Sequence, residues 1–242
     1  MLLLTAPSTL AAVVRSEGIK VVANGAVRPF ALPRTDDAPI TLSGSVRIST
    51  DSGAPPPVLE SIKLELDRHG SLDTVGLPVC TAGRLQATNV SQARKACSNA
   101  IVGEGVALAV LHFPDQMPVH ISSPLTFFNG PDRHGDHTLL VHAYTTSPVP
   151  ATFVVPIVIE PINRGELGYR VKADVPKIAG GDGTLLGVRF SVGRRWTYRG
   201  RRHSYVNARC EIGFFEAIGE LRFANGYILN GPLFVPCGVR HG

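Results

Sequence analysis

Hydrophobic residues in this chain recur at every second position over many short stretches. In one such stretch Ile62, Leu64 and Leu66 alternate with charged residues. This alternation is typical of β-strands that have one face in the core and the other in water. Along the whole chain the pattern predicts about a dozen strands, at 18–23, 40–49, 58–67, 101–113, 122–129, 138–146, 151–160, 167–174, 185–198, 203–212, 219–224 and 227–235.

Three segments depart from simple alternation. Residues 106–113 are apolar on both faces, which predicts a strand in the interior of a sheet. Residues 152–161 carry Pro156 and Pro161, which cannot donate a ladder hydrogen bond, so we expect an edge strand there. Only 89–97 looks helical, with Asn89 or Ser91 as its N-cap.

The four cysteines occur as two local pairs. Of the three possible connectivities we expect Cys80–Cys97 and Cys210–Cys237, because each closes a short loop. Each bond should then contribute roughly 3 to 4 kcal/mol. Four buried free thiols remain an alternative. A zinc site is less favoured, because neither pair has the C-x-x-C spacing that structural zinc usually uses.

The second pair also bears on the architecture. Asn225 and Gly226 predict a hairpin between the two cysteines. On the first and third strands of a flat sheet the cysteines would be about 10 Å apart, whereas a disulfide needs Cα atoms about 5.5 Å apart. We therefore expect the chain to change sheets between 213 and 219. This favours a mainly-β, two-sheet sandwich in which 18–242 form a single domain.

Composition and the N-terminus agree with an exported domain. Of the 242 residues 44% are hydrophobic and only 18% are charged, enough for a sizeable core. No stretch reaches the ~18 apolar residues of a membrane-spanning helix. Residues 1–17 resemble a signal segment without its positive n-region, as a truncated one would. Together with the cysteines they predict a secreted or cell-envelope protein.

The formal net charge of +5 is concentrated in one predicted hairpin. Between Gly183 and Cys210 there are seven arginines and no acidic residue, and the rest of the chain is slightly acidic. Arginine binds phosphate and carboxylate groups in a bidentate manner, and neighbouring aromatic rings offer stacking surfaces. The candidate ligand-binding residues are Arg194, Arg195, Trp196, Tyr198, Arg199, Arg201 and Arg202.

Two interpretations of this hairpin stay open. Basic and aromatic residues together suit single-stranded nucleic acid. In an exported protein, however, the accessible polyanions are wall polymers, lipid head groups or acidic polysaccharides, so we expect no nucleic acid partner. The alternative is a solvated hairpin whose arginines pair with carboxylates or keep the surface soluble.

Other candidate chemistry is weaker. The segment 132–137 brings Asp132, His134, Asp136 and His137 together, near His142 in sequence, but the spacing fits a loop better than a metal site. We expect no cofactor. Nucleophile-elbow, zinc-protease and Walker motifs are absent from the sequence. A carboxylate pair for glycoside hydrolysis would form only in the fold, from residues such as Glu60, Glu65, Glu104 and Glu160.

Three segments resemble an uncharacterised family of exported proteins from high-GC bacteria. These are 67–80, beginning Asp67-Arg68-His69-Gly70, together with 96–105 and 194–205. The resemblance runs from about residue 19 to 237 and implies export, but no activity, substrate or catalytic residue. We therefore expect an exported, non-catalytic envelope or binding module, with an anionic polymer as its ligand. The alternative is a glycan-active enzyme on a β-sandwich, and the sequence indicates no oligomeric state.

Overall fold

The computed structural model describes residues 11–113, 117–147 and 149–240. Strands make up most of these residues. Two short α-helices, α1 (Ala82–Leu85) and α2 (Val90–Ala96), lie between the seventh and eighth strands. The strands are β1 (Ala12–Ser16), β2 (Ile19–Arg28), β3 (Ala31–Pro33), β4 (Ala38–Pro39), β5 (Thr41–Thr50), β6 (Leu59–Asp67), β7 (Gly70–Leu72), β8 (Ile101–Leu111), β9 (Val119–Asn129), β10 (His137–Thr145), β11 (Ala151–Arg164), β12 (Leu167–Asp174), β13 (Gly183–Val192), β14 (Arg195–Tyr198), β15 (Arg201–Ser204), β16 (Val206–Ala208), β17 (Phe214–Phe223), β18 (Ile228–Pro236) and β19 (Gly238–Arg240).

Twelve of these strands form one continuous sheet. Its order is β1-β2-β5-β13-β8-β9-β10-β11-β12-β6-β17-β18. The last strand lies against the first two, with the Val14 side chain on Gly231. Strand twist accumulates across so wide a sheet and makes it curl. The mainly-β prediction is confirmed, but a single, nearly closed, barrel-like sheet stands where two stacked sheets were expected.

Three small sheets complete the fold. β14 pairs with β15, β16 lies between β4 and β7, and β3 pairs in parallel with β19. Leu32 of β3 and Val206 of β16 belong to the same buried cluster as Phe127 and Val141 of the large sheet. The small sheets therefore help to fill the interior of the curled sheet.

The sequence predicted the position of two strands within a sheet, one in the interior and one at an edge. β8 lies between β13 and β9, so the predicted interior strand is confirmed. The expected edge strand is wrong, because β11 lies between β10 and β12. Pro156 is exposed and paired opposite Leu140, and Pro161 sits where the register with β12 shifts. Such an irregularity accommodates a residue that cannot donate to the ladder.

Both predicted disulfides are present. The Cα atoms are 5.7 Å apart in Cys80–Cys97 and 6.1 Å apart in Cys210–Cys237. Cys210 follows β16 in the three-stranded sheet, whereas Cys237 follows β18 in the large sheet. The chain therefore changes sheets between β16 and β17, which is earlier than the 213–219 segment expected from the cysteine spacing, because 214–219 already belong to β17.

The predicted helix is also present. The Asn89 side chain accepts a hydrogen bond from Gln92 N, and the Gln92 side chain accepts one from Asn89 N, so the two form a capping box at the start of α2. Ala93 of this helix packs in a buried cluster with Phe128, Leu140 and the Cys80–Cys97 disulfide. The disulfide thus fixes the helical segment on the outer side of β9 and β10.

The N-terminal segment divides into two parts. Residues 12–16, within the segment predicted to be a signal, form β1 and pair with β2. Residues 1–10 lie outside the described residues. Among the residues that the structure describes, no helix has both the length and the apolar character needed to cross a membrane.

Candidate functional site

The arginine-rich segment forms a separate hairpin on the surface. β13 ends at Val192, and the chain then leaves the large sheet to form β14 and β15. In the register Trp196 pairs with His203 and Thr197 pairs with Arg202. The turn at Arg199 and Gly200 has positive φ at both residues, as a two-residue hairpin turn requires.

The aromatic face of the hairpin packs on the loop 73–77. The indole of Trp196 stacks on the His203 ring with centroids 5.5 Å apart, and its Nε1 donates to the Val75 carbonyl at 3.1 Å. The Nδ1 atom of His203 lies 2.7 Å from a carboxylate oxygen of Asp73. These contacts hold one face of the hairpin against the protein.

Tyr198 also packs against this loop. Its ring lies directly over Gly76, where a Cβ atom would overlap the ring. The guanidinium of Arg199 lies over the same Tyr198 ring, 5.2 Å from the ring centroid. A cation–π contact of this kind orients the arginine at the turn without neutralising its charge.

Three arginines remain at the tip of the hairpin. Arg199, Arg201 and Arg202 are all exposed, and within the described part of the chain they form no ion pair. By contrast, Arg209 just beyond the hairpin pairs with Asp37 at 3.0 Å. We call Arg199, Arg201 and Arg202 the arginine tip, because their charges are available to an external anion.

The remaining predicted site residues have other contacts. Arg194 donates to the carbonyl of Ile101 at 2.9 Å and to that of Ser98 at 3.3 Å, so it ties the base of the hairpin to the end of the helical segment. Arg195 is exposed, and its guanidinium reaches the Pro39 carbonyl at 3.3 Å. The hairpin therefore brings the seven predicted residues into one unit. Arg194 and Arg195 are anchored to backbone carbonyls of other segments, whereas the arginines of the tip extend into solvent.

A cleft adjoins the hairpin on the other side of the same loop. It has a volume of about 200 Å³ and is lined by Thr74, Leu77, Val79, Asn129, Gly130, Asp132 and His137. The His137 Nε2 atom lies 2.7 Å from the Tyr205 hydroxyl, and its Nδ1 lies 3.1 Å from Asp132. Burial raises the pKa of Tyr205, and the charge of Asp132 raises it further.

The histidine segment is a turn, as the sequence analysis favoured. Arg133 and Asp136 exchange two backbone hydrogen bonds of 2.9 Å around His134 and Gly135. His142, by contrast, is fully buried, and its Nε2 lies 3.0 Å from the Thr88 carbonyl. Across residues 11–113, 117–147 and 149–240 no three metal-ligating side chains are arranged so that they could hold a metal ion.

One further cluster was not foreseen from the sequence. His69, only 5% exposed, has its Nδ1 atom 2.7 Å from Asp67 and its Nε2 atom 2.7 Å from Glu211. Asp67 also accepts a hydrogen bond from the backbone of Glu216. The cluster joins the β6–β7 turn to the segment beside the Cys210–Cys237 disulfide, so its evident role is to fix the chain where it changes sheets.

A second carboxylate cluster involves two predicted candidates. Glu65 is 3% exposed and binds Arg170 at 2.9 Å and Arg164 at 2.8 Å, while Glu160 binds Arg170 at 3.0 Å. Burial alone would raise the pKa of Glu65, but the hydrogen bond from Arg170 and the charges of both arginines lower it below its usual value. Both carboxylates are thus ionised and paired.

The sequence indicated the hairpin together with His203 and Tyr205, which are interleaved with its arginines. Asp73 and Thr74 belong to the same surface region, but they lie in a distant loop and no motif marks them. In comparisons with known proteins, no family model, no curated protein and no solved structure matches this chain.

Proposed function

We propose that this protein is an exported, non-catalytic binding module that engages an anionic polymer of the cell envelope. The arginine tip makes the contact, and the rest of the fold serves as its rigid support. The observation that carries the proposal is the tip itself, with three exposed arginines within four residues and no acidic partner in the described chain.

The geometry of the hairpin supports binding by charge. Arginine forks bind phosphate and carboxylate groups with two parallel hydrogen bonds. The turn fixes where the guanidinium groups emerge, and the contacts of Trp196 and Tyr198 hold the turn in place. Little conformational freedom of the backbone is then lost on binding, which favours affinity.

The same contacts argue against nucleic acid as the partner. Binding of single strands relies on aromatic rings that are open to stack on bases. Here Trp196 already stacks on His203, and Tyr198 already covers Gly76. The rings therefore support the hairpin, and the ligand contact is left to the arginines.

Export is supported by the two disulfides. Structural disulfides form and persist mainly in oxidising compartments, and the described chain contains no free cysteine. The polyanions that an exported protein meets are wall polymers and acidic polysaccharides.

The enzyme alternative gains no specific support. A glycosidase needs two carboxyl groups facing each other across an open site. Glu65 and Glu160 are instead bridged by Arg170, and Asp67 and Glu211 are bridged by His69. In neither cluster is a space left between the carboxylates for a sugar.

The proposal is tested by retention of the purified, oxidised protein on the host's cell-wall fraction across a salt gradient. The test variant combines Arg199→Ala, Arg201→Ala and Arg202→Ala. A matched variant combines Arg47→Ala, Arg189→Ala and Arg222→Ala, which removes the same charge from exposed positions on the large sheet. We expect the tip variant to elute at much lower salt than the matched variant. Equal elution of the two variants, or no retention of the wild type, would overturn the proposal.

A further inference from the structure

The cleft beside the hairpin is lined in part by the loop 73–77, which also supports the arginine tip. Thr74 and Leu77 line the cleft, while Val75 and Gly76 of the same loop contact Trp196 and Tyr198. The cleft and the hairpin therefore lie on either side of the same loop. A polymer that crosses this loop could contact both.

The volume of the cleft limits what can enter it. Pockets for drug-sized ligands have volumes of roughly 300–1,000 Å³, whereas this cleft has about 200 Å³. It is too small for a whole oligomer and suits one small unit of a longer chain. The rest of that chain would remain outside, on the surface that leads to the hairpin.

The lining selects an uncharged, hydroxylated unit. Asp132 carries a 67% exposed carboxylate at this site, which accepts hydrogen bonds and repels a phosphate or carboxylate. Thr74 adds a hydroxyl group, and Leu77 and Val79 add an aliphatic surface. Hydroxyl groups beside an apolar face are the features of a sugar ring, whereas a bare phosphate chain has neither.

The polar groups of the cleft are held in place. Tyr205 and Asp132 bind the two ring nitrogens of His137. The side chain of Asn129 donates to the carbonyl of Pro78 at 3.1 Å, and its backbone carbonyl accepts from Cys80 N at 2.8 Å, next to the disulfide. A site whose walls are fixed in this way loses little entropy when a ligand binds.

From these observations we infer that the ligand of this surface is an acidic polysaccharide. One sugar unit occupies the cleft by its hydroxyl groups, and acidic groups further along the chain bind the arginine tip. The inference rests on the proposed function, since it names the class of polymer that the same surface binds.

The test uses two defined probes, hyaluronan as an acidic polysaccharide that alternates an acidic sugar with an uncharged one, and inorganic polyphosphate as a polyanion without sugars. Binding is followed through the fluorescence of Trp196, the single tryptophan of the chain. The cleft variants are Thr74→Val and Asp132→Asn. Asp136→Asn is the matched control, because it makes the same charge change in the same turn without lining the cleft.

We expect each cleft variant to weaken binding of hyaluronan by about three- to tenfold, the equivalent of one lost hydrogen bond. Binding of polyphosphate should not weaken, and the control should match the wild type with both probes. The tip variant should bind neither probe.

The outcomes separate the two proposals. If the wild type binds both probes and the cleft variants bind hyaluronan as the wild type does, the acidic-polysaccharide inference is overturned and the arginine tip stands. An equal loss in Asp136→Asn and Asp132→Asn would also overturn it. If the wild type binds neither probe at low salt, the inference and the proposed function both fail.

Discussion

Gly76 is the position where a single methyl group should detach the hairpin from its support. Its φ of +71° is in the left-handed region, and a Cβ atom there would overlap the ring of Tyr198. Gly53 offers a matched control, because it has a φ of +76° but no atom within 4 Å of a Cβ position. The loss of unfolding free energy in Gly53→Ala should therefore reflect only the cost of placing alanine in the left-handed backbone conformation.

The magnitudes follow from this difference. The left-handed conformation costs an alanine about 1–2 kcal/mol, which both variants incur. Overlap with a packed side chain typically adds about 1–3 kcal/mol, and only Gly76→Ala incurs it. Since 1 kcal/mol shifts the melting temperature of a protein of this size by about 2–4 °C, the two variants should be readily distinguished.

The assay is denaturant unfolding of each variant, in the wild-type background and with Tyr198→Ala. Removing the ring should relieve the overlap, so Gly76→Ala should cost about 1–3 kcal/mol less in the second background. Emission from Trp196 should also change in Gly76→Ala, because its ring is held by the neighbouring Val75 carbonyl. The reasoning is refuted if Gly76→Ala and Gly53→Ala lower the free energy of unfolding equally, with no dependence on Tyr198.

Three further predictions concern stability. Replacing Cys210 and Cys237 by serine should lower the free energy of unfolding by roughly 3.5 kcal/mol, from the loop that the disulfide closes; an unchanged denaturation midpoint would contradict this. The pKa of Glu65 is lowered on folding, so its stabilisation is present above the unfolded-state pKa and is lost as the pH falls through the folded-state value. The stability difference between wild type and Glu65→Gln should therefore shrink with acidification below about pH 4.3, and a difference that stays constant down to pH 3 would count against the pairing. Because the pKa of Tyr205 is raised, its phenol should remain protonated in an alkaline absorbance titration until the protein unfolds, and Tyr205→Phe should leave the early part of that titration unchanged.

Local patterns predicted the local features of this fold well. Asn89 and Gln92 formed the helix cap that their spacing indicates. The glycine after Arg199 marked the hairpin turn, and short sequence separation identified both disulfides. Each of these features depends on residues that are close in the chain, where backbone geometry leaves few alternatives.

Most features that depend on sheet order could not be predicted, although the two apolar faces of β8 did indicate its interior position. Alternation shows which side chains of a strand share a face, but it does not show which strand lies beside it. The edge prediction for β11 failed for this reason, and so did the expected sandwich. Glu65 meets Arg170 across 105 positions of the chain, and His137 meets Tyr205 across 68. Only the three-dimensional arrangement reveals these pairs.

The central claim is that the charge of the arginine tip binds the anionic polymer, and the salt dependence of affinity tests it most directly. The dissociation constant for hyaluronan is measured at several salt concentrations for the wild type, the tip variant and the matched variant. Each arginine in contact with a flexible polyanion should contribute about 0.7 to the slope of log affinity against log salt, by analogy with single-stranded nucleic acid. The account predicts that the magnitude of this negative slope is smaller by about two in the tip variant and nearly unchanged in the matched variant. Equal slopes in these two variants would contradict it.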